Sequence, residues 1–300
     1  MHNLIHLGSA LATLGEKEAD AIALKEAIAA YRLALEVLQR ESEPFKWSNV
    51  QNNLGNTLSN LGTLQGETAL IHEAITSYRM ALLERTRERF PLDWAQIQYN
   101  LAVSLNTVGE FEGDVNFLED AILVYQLSLE ERTLESTPFD WAESQNNLGV
   151  ALSVLGSLTN NTLYFERAVV AFNLTLKVRK RELIPFEWAR IQNNIGVALQ
   201  AHGELNGDLE QINGAISAYR LALEERPKDL VPFDWAQTHN NLGNALSVLG
   251  ELESNKIRLN ESIESYKASW SIYQSFDDKR HDEYFERRID NVKILLNNLD

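Results

Sequence analysis

The 300-residue chain contains no cysteine. That excludes disulfides, thiolate nucleophiles and cysteine-ligated zinc or iron–sulfur centres, and it suits a reducing cytoplasm, the location we expect. Basic residues are scarce beside acidic ones, 27 Lys and Arg against 43 Asp and Glu, for a net charge of −16. Such a chain is a poor general binder of phosphate backbones and of anionic membranes, so neither nucleic acid nor membrane is expected as a partner. Long apolar runs are missing, and with them any segment that reads as membrane-spanning. Residues 1–15 lack the basic start and apolar core of a signal peptide. There is no Gly-rich phosphate loop and no G-x-S-x-G. The six histidines (His2, His6, His72, His202, His239, His281) are read as lacking metal-ligand spacing. No cofactor, metal or catalysis is expected.

What the chain does have is a repeat. Trp47, Trp94, Trp141, Trp188 and Trp235 are each 47 residues apart, and Pro44, Pro91, Pro138, Pro185 and Pro232 keep the same interval. Gln-Asn-Asn-Leu-Gly follows at Gln51–Gly55 and Gln145–Gly149, with variants in the other copies. A second phrase, Ala-Ile-x-x-Tyr, recurs in register at Ala74/Ile75/Tyr78, Ala121/Ile122/Tyr125 and Ala215/Ile216/Tyr219. Two motifs on one period describe a continuous array.

Each repeat reads as two helices. Trp47, Leu54, Leu58 and Leu61 share one stripe of the first; Ala74, Ile75, Tyr78, Ala81 and Leu82 share one stripe of the second. Pro44 marks the start of the first helix, and Gly62 is expected to stop it. Asp20, Glu67, Asp114, Asn161, Asp208 and Asn255 occupy one slot and are expected to cap the second helix. Gly55, Gly149, Gly196 and Gly243, inside the first helix, imply close approach of a neighbour, since an interior Gly costs roughly 1 kcal/mol against Ala. The Trp residues are expected in the core, with Trp141→Ala more costly than Trp47→Ala. The buried Gln slot (Gln51, Gln98, Gln145, Gln192, with His239 as its last copy) is expected to bond the backbone of the preceding repeat. Glu130-Glu131 beside Arg132, and Glu224-Glu225 beside Arg226, read as solvated faces with local ion pairs. Two basic clusters, Lys177/Arg179/Lys180/Arg181 and Arg85/Arg87/Arg89, lie at the ends of second helices among acidic neighbours.

Leu54-Gly55, Leu58, Ala74, Tyr78, Ala81 and Pro91 resemble the tetratricopeptide repeat family in order and spacing. The long period and the Asn-Asn-Leu phrase are similar to kinesin light chain repeats and to bacterial arrays. The resemblance implies an all-α fold, an α-solenoid of antiparallel helix pairs forming a right-handed superhelix. It runs over one domain, 1–300: a truncated first repeat at 1–43, repeats at 44–90, 91–137, 138–184, 185–231 and 232–278, and a capping helix at 279–300. One departure is that the Trp precedes the Leu-Gly pair by seven residues, where the family's aromatic precedes it by three.

Opposite the core stripe, the first helices carry amides where a solvated face would carry Lys and Glu. The positions are Asn52, Asn53 and Asn56; Tyr99, Asn100 and Val103; Asn146, Asn147 and Val150; Arg190, Asn193, Asn194 and Val197; and Asn240, Asn241 and Asn244. The resemblance implies that this face lines a concave groove, with Asn53, Asn100, Asn147, Asn194 and Asn241 as a ladder. An amide can meet both N–H and C=O of an extended chain. The competing reading has these amides bridging repeats. A carboxylate clamp would need several groove cations, and Arg190 alone is there. The expected function is a non-enzymatic scaffold binding a protein or peptide segment; the alternative is a sensor or oligomerisation module of a larger signalling protein. Self-association through the face of the first repeat is expected.

Overall fold

The computed structural model describes residues 2–299, and these are all helical and loop, without strands. The first helices of the repeats are α1 (His2–Glu18), α3 (Pro44–Gln65), α5 (Pro91–Glu112), α7 (Pro138–Thr159), α9 (Pro185–Asn206) and α11 (Pro232–Leu252). The second helices are α2 (Ala21–Val37), α4 (Thr68–Leu82), α6 (Val115–Leu129), α8 (Thr162–Thr175), α10 (Leu209–Glu224) and α12 (Lys256–Ser275), and α13 (Asp282–Asn297) follows them. From α3 onward each first helix begins at the repeating proline, in the one helical position where the missing N–H costs nothing. The chain divides into two compact units, Met1–Thr159 with α1–α7 and Asn160–Asp300 with α8–α13. In each unit consecutive helices pack side by side, as in an α-solenoid of helix pairs.

Side chains of Asp20, Asp114, Asn161, Asp208 and Asn255 accept hydrogen bonds from the second or third N–H of the helix they precede. Glu67 makes no such bond. Gly62 does not stop its helix. α3 continues to Gln65 and ends on Gly66, which sits in the left-handed region at φ 68°. That slot repeats every 47 residues as Ala19, Gly66, Gly113, Asn160, Gly207 and Ser254, all at positive φ. Gly62 serves packing instead: a Cβ there would lie 2.6 Å from Ile71 Cγ1. The interior glycines of the Leu-Gly pair do the same against the second-helix tyrosine. A Cβ would meet the ring 2.7 Å away at Gly55 on Tyr78, 2.5 Å at Gly196 on Tyr219 and 2.9 Å at Gly243 on Tyr266.

Burial of the tryptophans differs from expectation. Trp47 is 8% exposed, whereas Trp94, Trp141, Trp188 and Trp235 are half-buried. A cation seven residues earlier covers four of the five rings: Arg40 over Trp47, Arg87 over Trp94, Arg181 over Trp188 and Lys228 over Trp235. The same arginines reach the next repeat, Arg40 to Glu84, Arg87 to Glu131 and Arg181 to Glu225, each at 2.6 Å. The ion pairs of Glu131 and Glu225 are thus between repeats, not local. Their neighbours Arg132 and Arg226 are not solvated at all, being 2% and 3% exposed. Arg132 donates to Ser144 Oγ (3.0 Å) and Gln96 Oε1 (2.5 Å), and Arg226 to Thr238 Oγ1 (2.6 Å) and the Asp234 carbonyl (3.1 Å). Each ties the end of a second helix to the start of the next first helix. Gln51, Gln98, Gln145 and Gln192 make no side-chain hydrogen bond among the described residues, so the expected bond to the preceding backbone is not formed.

Two outcomes follow from this packing. Trp47→Ala should lower unfolding free energy by about 3 kcal/mol and Trp141→Ala by less, the reverse of the order expected from position in the array; chemical denaturation of both variants measures it. Ser254→Gly removes a side chain from left-handed backbone and should stabilise by about 0.5–1 kcal/mol, read as a higher denaturation midpoint.

Candidate functional site

Within each unit the first helices of successive repeats touch: α1 on α3, α3 on α5 and α5 on α7 in one, α9 on α11 in the other. Long ion pairs bridge neighbouring second helices, Arg32 to Glu73 at 2.6 Å and Arg220 to Glu261 at 2.8 Å. The first helices therefore form the tighter, inner row of each unit, and the amide face lies on that row.

In the first unit Asn100 is the most connected amide. Its Nδ2 donates to Asn56 Oδ1 (3.0 Å) and Asn52 Oδ1 (3.4 Å), both in the preceding repeat, and its Oδ1 accepts from Gln96 (3.0 Å). Asn56 also accepts from the Tyr78 hydroxyl at 2.8 Å. Asn147 donates to the Tyr99 hydroxyl at 2.8 Å, one repeat back, and accepts from Asn146 at 2.9 Å. Asn53 is half-buried, and the Tyr31 hydroxyl donates to Ser9 at 3.1 Å. Asn146 is buried, and its Oδ1 has no partner. Val103 and Val150 are half-buried.

The second unit repeats the scheme. Asn241 donates to Asn193 Oδ1 (3.2 Å) in the preceding repeat, Asn244 accepts from the Tyr266 hydroxyl (2.7 Å), and Asn240 accepts from Tyr284 of α13 (3.1 Å). Asn194 is half-buried, Val197 is exposed, and Arg190 is exposed and paired with Glu187 at 2.7 Å. The amides thus lie together, and Asn100, Asn147 and Asn241 brace one repeat to the previous one.

The buried arginines bear on this face. Arg132 lies 4.4 Å over the Tyr99 ring and bonds Gln96. Burial pulls its guanidinium below the usual arginine range. Burial, then the charge of Glu143, pushes the Tyr99 hydroxyl far above the ordinary tyrosine range, so it is a neutral donor and acceptor throughout physiological pH. Arg85 makes the equivalent reach to Asn49 at 2.5 Å. The signal for these residues was in the sequence: Arg85, Arg132, Arg179 and Arg226 are 47 apart. So was that of an exposed apolar residue near the end of each first helix from α3 onward, Leu64, Phe111 and Leu158 in one unit, Leu205 and Leu252 in the other.

His2 and His6 are in fact four residues apart on α1 with ring centroids 4.6 Å apart, which corrects the reading of their spacing. No group of three or more His, Cys, Asp or Glu is placed to hold a metal among the described residues. Among them, no helix is long and apolar enough to cross a membrane.

A chain of helix pairs on a strict period, with a small residue of the first helix against a tyrosine of the second, is a helical repeat array. Residues 47–85 match the model of the tetratricopeptide repeat. Among solved structures the chain is similar to BtubC (BKLC) from P. vanneervenii, at 21% identity and a TM-score of 0.55, over 82% of this chain and 92% of that one. It is also similar to MamA (19%, TM-score 0.46, 72% and 95%), and to a putative kinesin light chain with nearly identical TPR-like repeats from Podosopora anserina (16%, TM-score 0.48, 77% and 96%). No curated protein matches it in sequence. Residues 47–85 thus carry a tetratricopeptide repeat match, and the chain shares the helical-repeat fold of BtubC.

His239 supplies a pH prediction for the inner row. It takes the slot held by Gln in the preceding repeats, packs at a tilt against Trp235 with ring centroids 4.1 Å apart, and has a buried Nδ1 without a partner among the described residues. Burial, with Lys228 nearby, depresses its pKa from 6.5 to about 4. Between those values the unfolded chain takes up a proton that the folded one refuses, so stability is full above about pH 6.5 and falls toward pH 4. Melting temperature should drop more for the native chain than for His239→Gln between pH 7.5 and 5. Equal slopes would remove His239 as the cause.

Proposed function

We propose that the chain is a non-enzymatic protein-interaction scaffold that holds an extended segment of a partner polypeptide along the amide face of its first helices. The observation that carries this reading is the composition of the inner row. Asn53, Asn100, Asn147, Asn194 and Asn241 are half-buried on it, open to solvent on one side and seated on the array on the other. Asn100, Asn147 and Asn241 use amide donors to brace the preceding repeat. Bracing fixes their rotamers in advance, so an incoming main chain meets preorganised amides rather than mobile ones. Neutral amides recognise main chain with little demand on sequence; Tyr99, Val103, Val150 and Val197 would then supply the preferences.

Because bracing and binding share side chains, the test uses two kinds of variant. Asn100→Ala with Asn147→Ala should destabilise by about 1–3 kcal/mol through lost hydrogen bonds and also weaken partner capture. Val150→Glu with Val197→Glu places charge on the face and breaks no hydrogen bond. It should leave the melting temperature within about 2–3 °C and reduce capture at least tenfold. Full capture by a folded Val150→Glu/Val197→Glu chain would remove this face from the function.

A second reading, self-association, is favoured by α1. Leu7 and Leu14 are 50% and 43% exposed, whereas Leu54 and Leu61 in the same slots of α3 are 5% and 2% exposed. Sedimentation velocity should show concentration-dependent association that Leu7→Glu/Leu14→Glu abolishes.

A further inference from the structure

We propose that the hollow at the ends of α1, α3 and α5 is a pocket for a lysine or arginine side chain of the bound segment. The inference rests on the groove reading above and names the chemistry of its occupant. The hollow measures about 590 Å³ and lies within the first unit. Its apolar walls are Leu24, Leu64 and Val103, with Thr107 and Ser59 beside them. Leu64 is 46% exposed, an apolar surface that nothing in this unit covers. The charged group at its edge is Glu16.

Three features select a cation on an aliphatic stem over a plain apolar side chain. Glu16 is exposed and accepts one hydrogen bond, from Asn60 Nδ2 at 2.8 Å, and no cation pairs with it among the described residues. The last turns of α1 and α3, carrying Gly15, Glu16, Thr63 and Leu64, bring two negative helix ends to the hollow. The near ends of the first helices are anionic: Glu16 and Glu18 on α1 and Glu110 and Glu112 on α5 stand against Lys17. Lysine and arginine are the residues that cover apolar surface with the stem while the charged head stays at a polar edge. The hollow also joins the amide face. A smaller recess lined by Ser9, Thr13, Tyr31, Asn53 and Asn56 shares Glu16 with it. A main chain on Asn53 and Asn56 is therefore adjacent to a side chain entering the hollow.

The test uses the full chain, isotopically labelled, and three blocked heptapeptides of alternating alanine and serine whose central residue is arginine, norleucine or glutamate. Backbone amide shifts are followed at Gly15, Glu16, Ser59, Thr63 and Thr107. The arginine peptide should move these signals, the norleucine peptide should bind about two- to fivefold more weakly, and the glutamate peptide should not bind there. Glu16→Gln, on an exposed side chain, should reduce the arginine peptide to the norleucine level, and raising salt from 50 to 500 mM should do much the same. Equal binding of arginine and norleucine peptides, or an unchanged affinity in folded Glu16→Gln, overturns the choice of a cation. Shifts confined to Asn53, Asn100 and Asn147 overturn the pocket and leave the groove standing. Shifts at the pocket, together with full partner capture by Val150→Glu/Val197→Glu, keep the pocket and remove the groove.

Discussion

Four of the helix pairs depend on one contact, the ring of a second-helix tyrosine against a glycine of the first helix. At Gly8, Gly55, Gly196 and Gly243 a single added methyl would overlap the rings of Tyr31, Tyr78, Tyr219 and Tyr266. Each of these tyrosines is almost wholly buried. Glycine in a helix interior costs roughly 1 kcal/mol, and the return is a large aromatic surface removed from water at close axial distance. The spacing this sets within a pair fixes where the next first helix can lie, and so where the inner row runs.

The tyrosine hydroxyl is the polar end of that contact, and it points at the inner row. Tyr31 reaches Ser9, Tyr78 reaches Asn56, Tyr219 reaches Gln200 and Tyr266 reaches Asn244. A buried hydroxyl without a partner would carry a desolvation penalty of about 1–3 kcal/mol, so amides on the row answer a demand of the core. The same amides, tied on one side, present oriented donors and acceptors on the other. Packing and recognition thus use one set of side chains, which is why the competing readings of the asparagines as braces and as a ladder are compatible.

Second in consequence are the arginines at the ends of second helices. Arg132 and Arg226 are buried and hydrogen-bonded to uncharged oxygens; the Tyr99 ring lies against Arg132, and the Asp234 carboxylate stands 3.8 Å from Arg226. A buried guanidinium with its donors satisfied is strongly destabilising to remove from one side only, so each holds a repeat to its successor. The flanking arginines Arg40, Arg87 and Arg181 act at the surface, across tryptophan faces and onto a glutamate of the next repeat.

Helix pairs, their boundaries at the prolines, five of six capping residues and the glycine contacts were all legible in the sequence, because a period of 47 writes each local rule several times over. The amide face was legible for the same reason, as a departure from the Lys and Glu of a solvated helix. Helix ends at Gly66, Gly113 and Gly207, and the arginine slot, were periodic too, yet their roles were not readable. Gly62 and Gly66 are equally plausible stops until backbone angles separate them, and an arginine beside two glutamates looks solvated until its neighbours bury it. Tertiary structure alone decided which amide bonds which, that cations lie over four of the five tryptophan rings, and that Leu24, Leu64, Val103 and Glu16 line one hollow. Those outcomes depend on distances between helices one and two repeats apart. A pattern along a single chain records which face a side chain occupies, but not what stands opposite it.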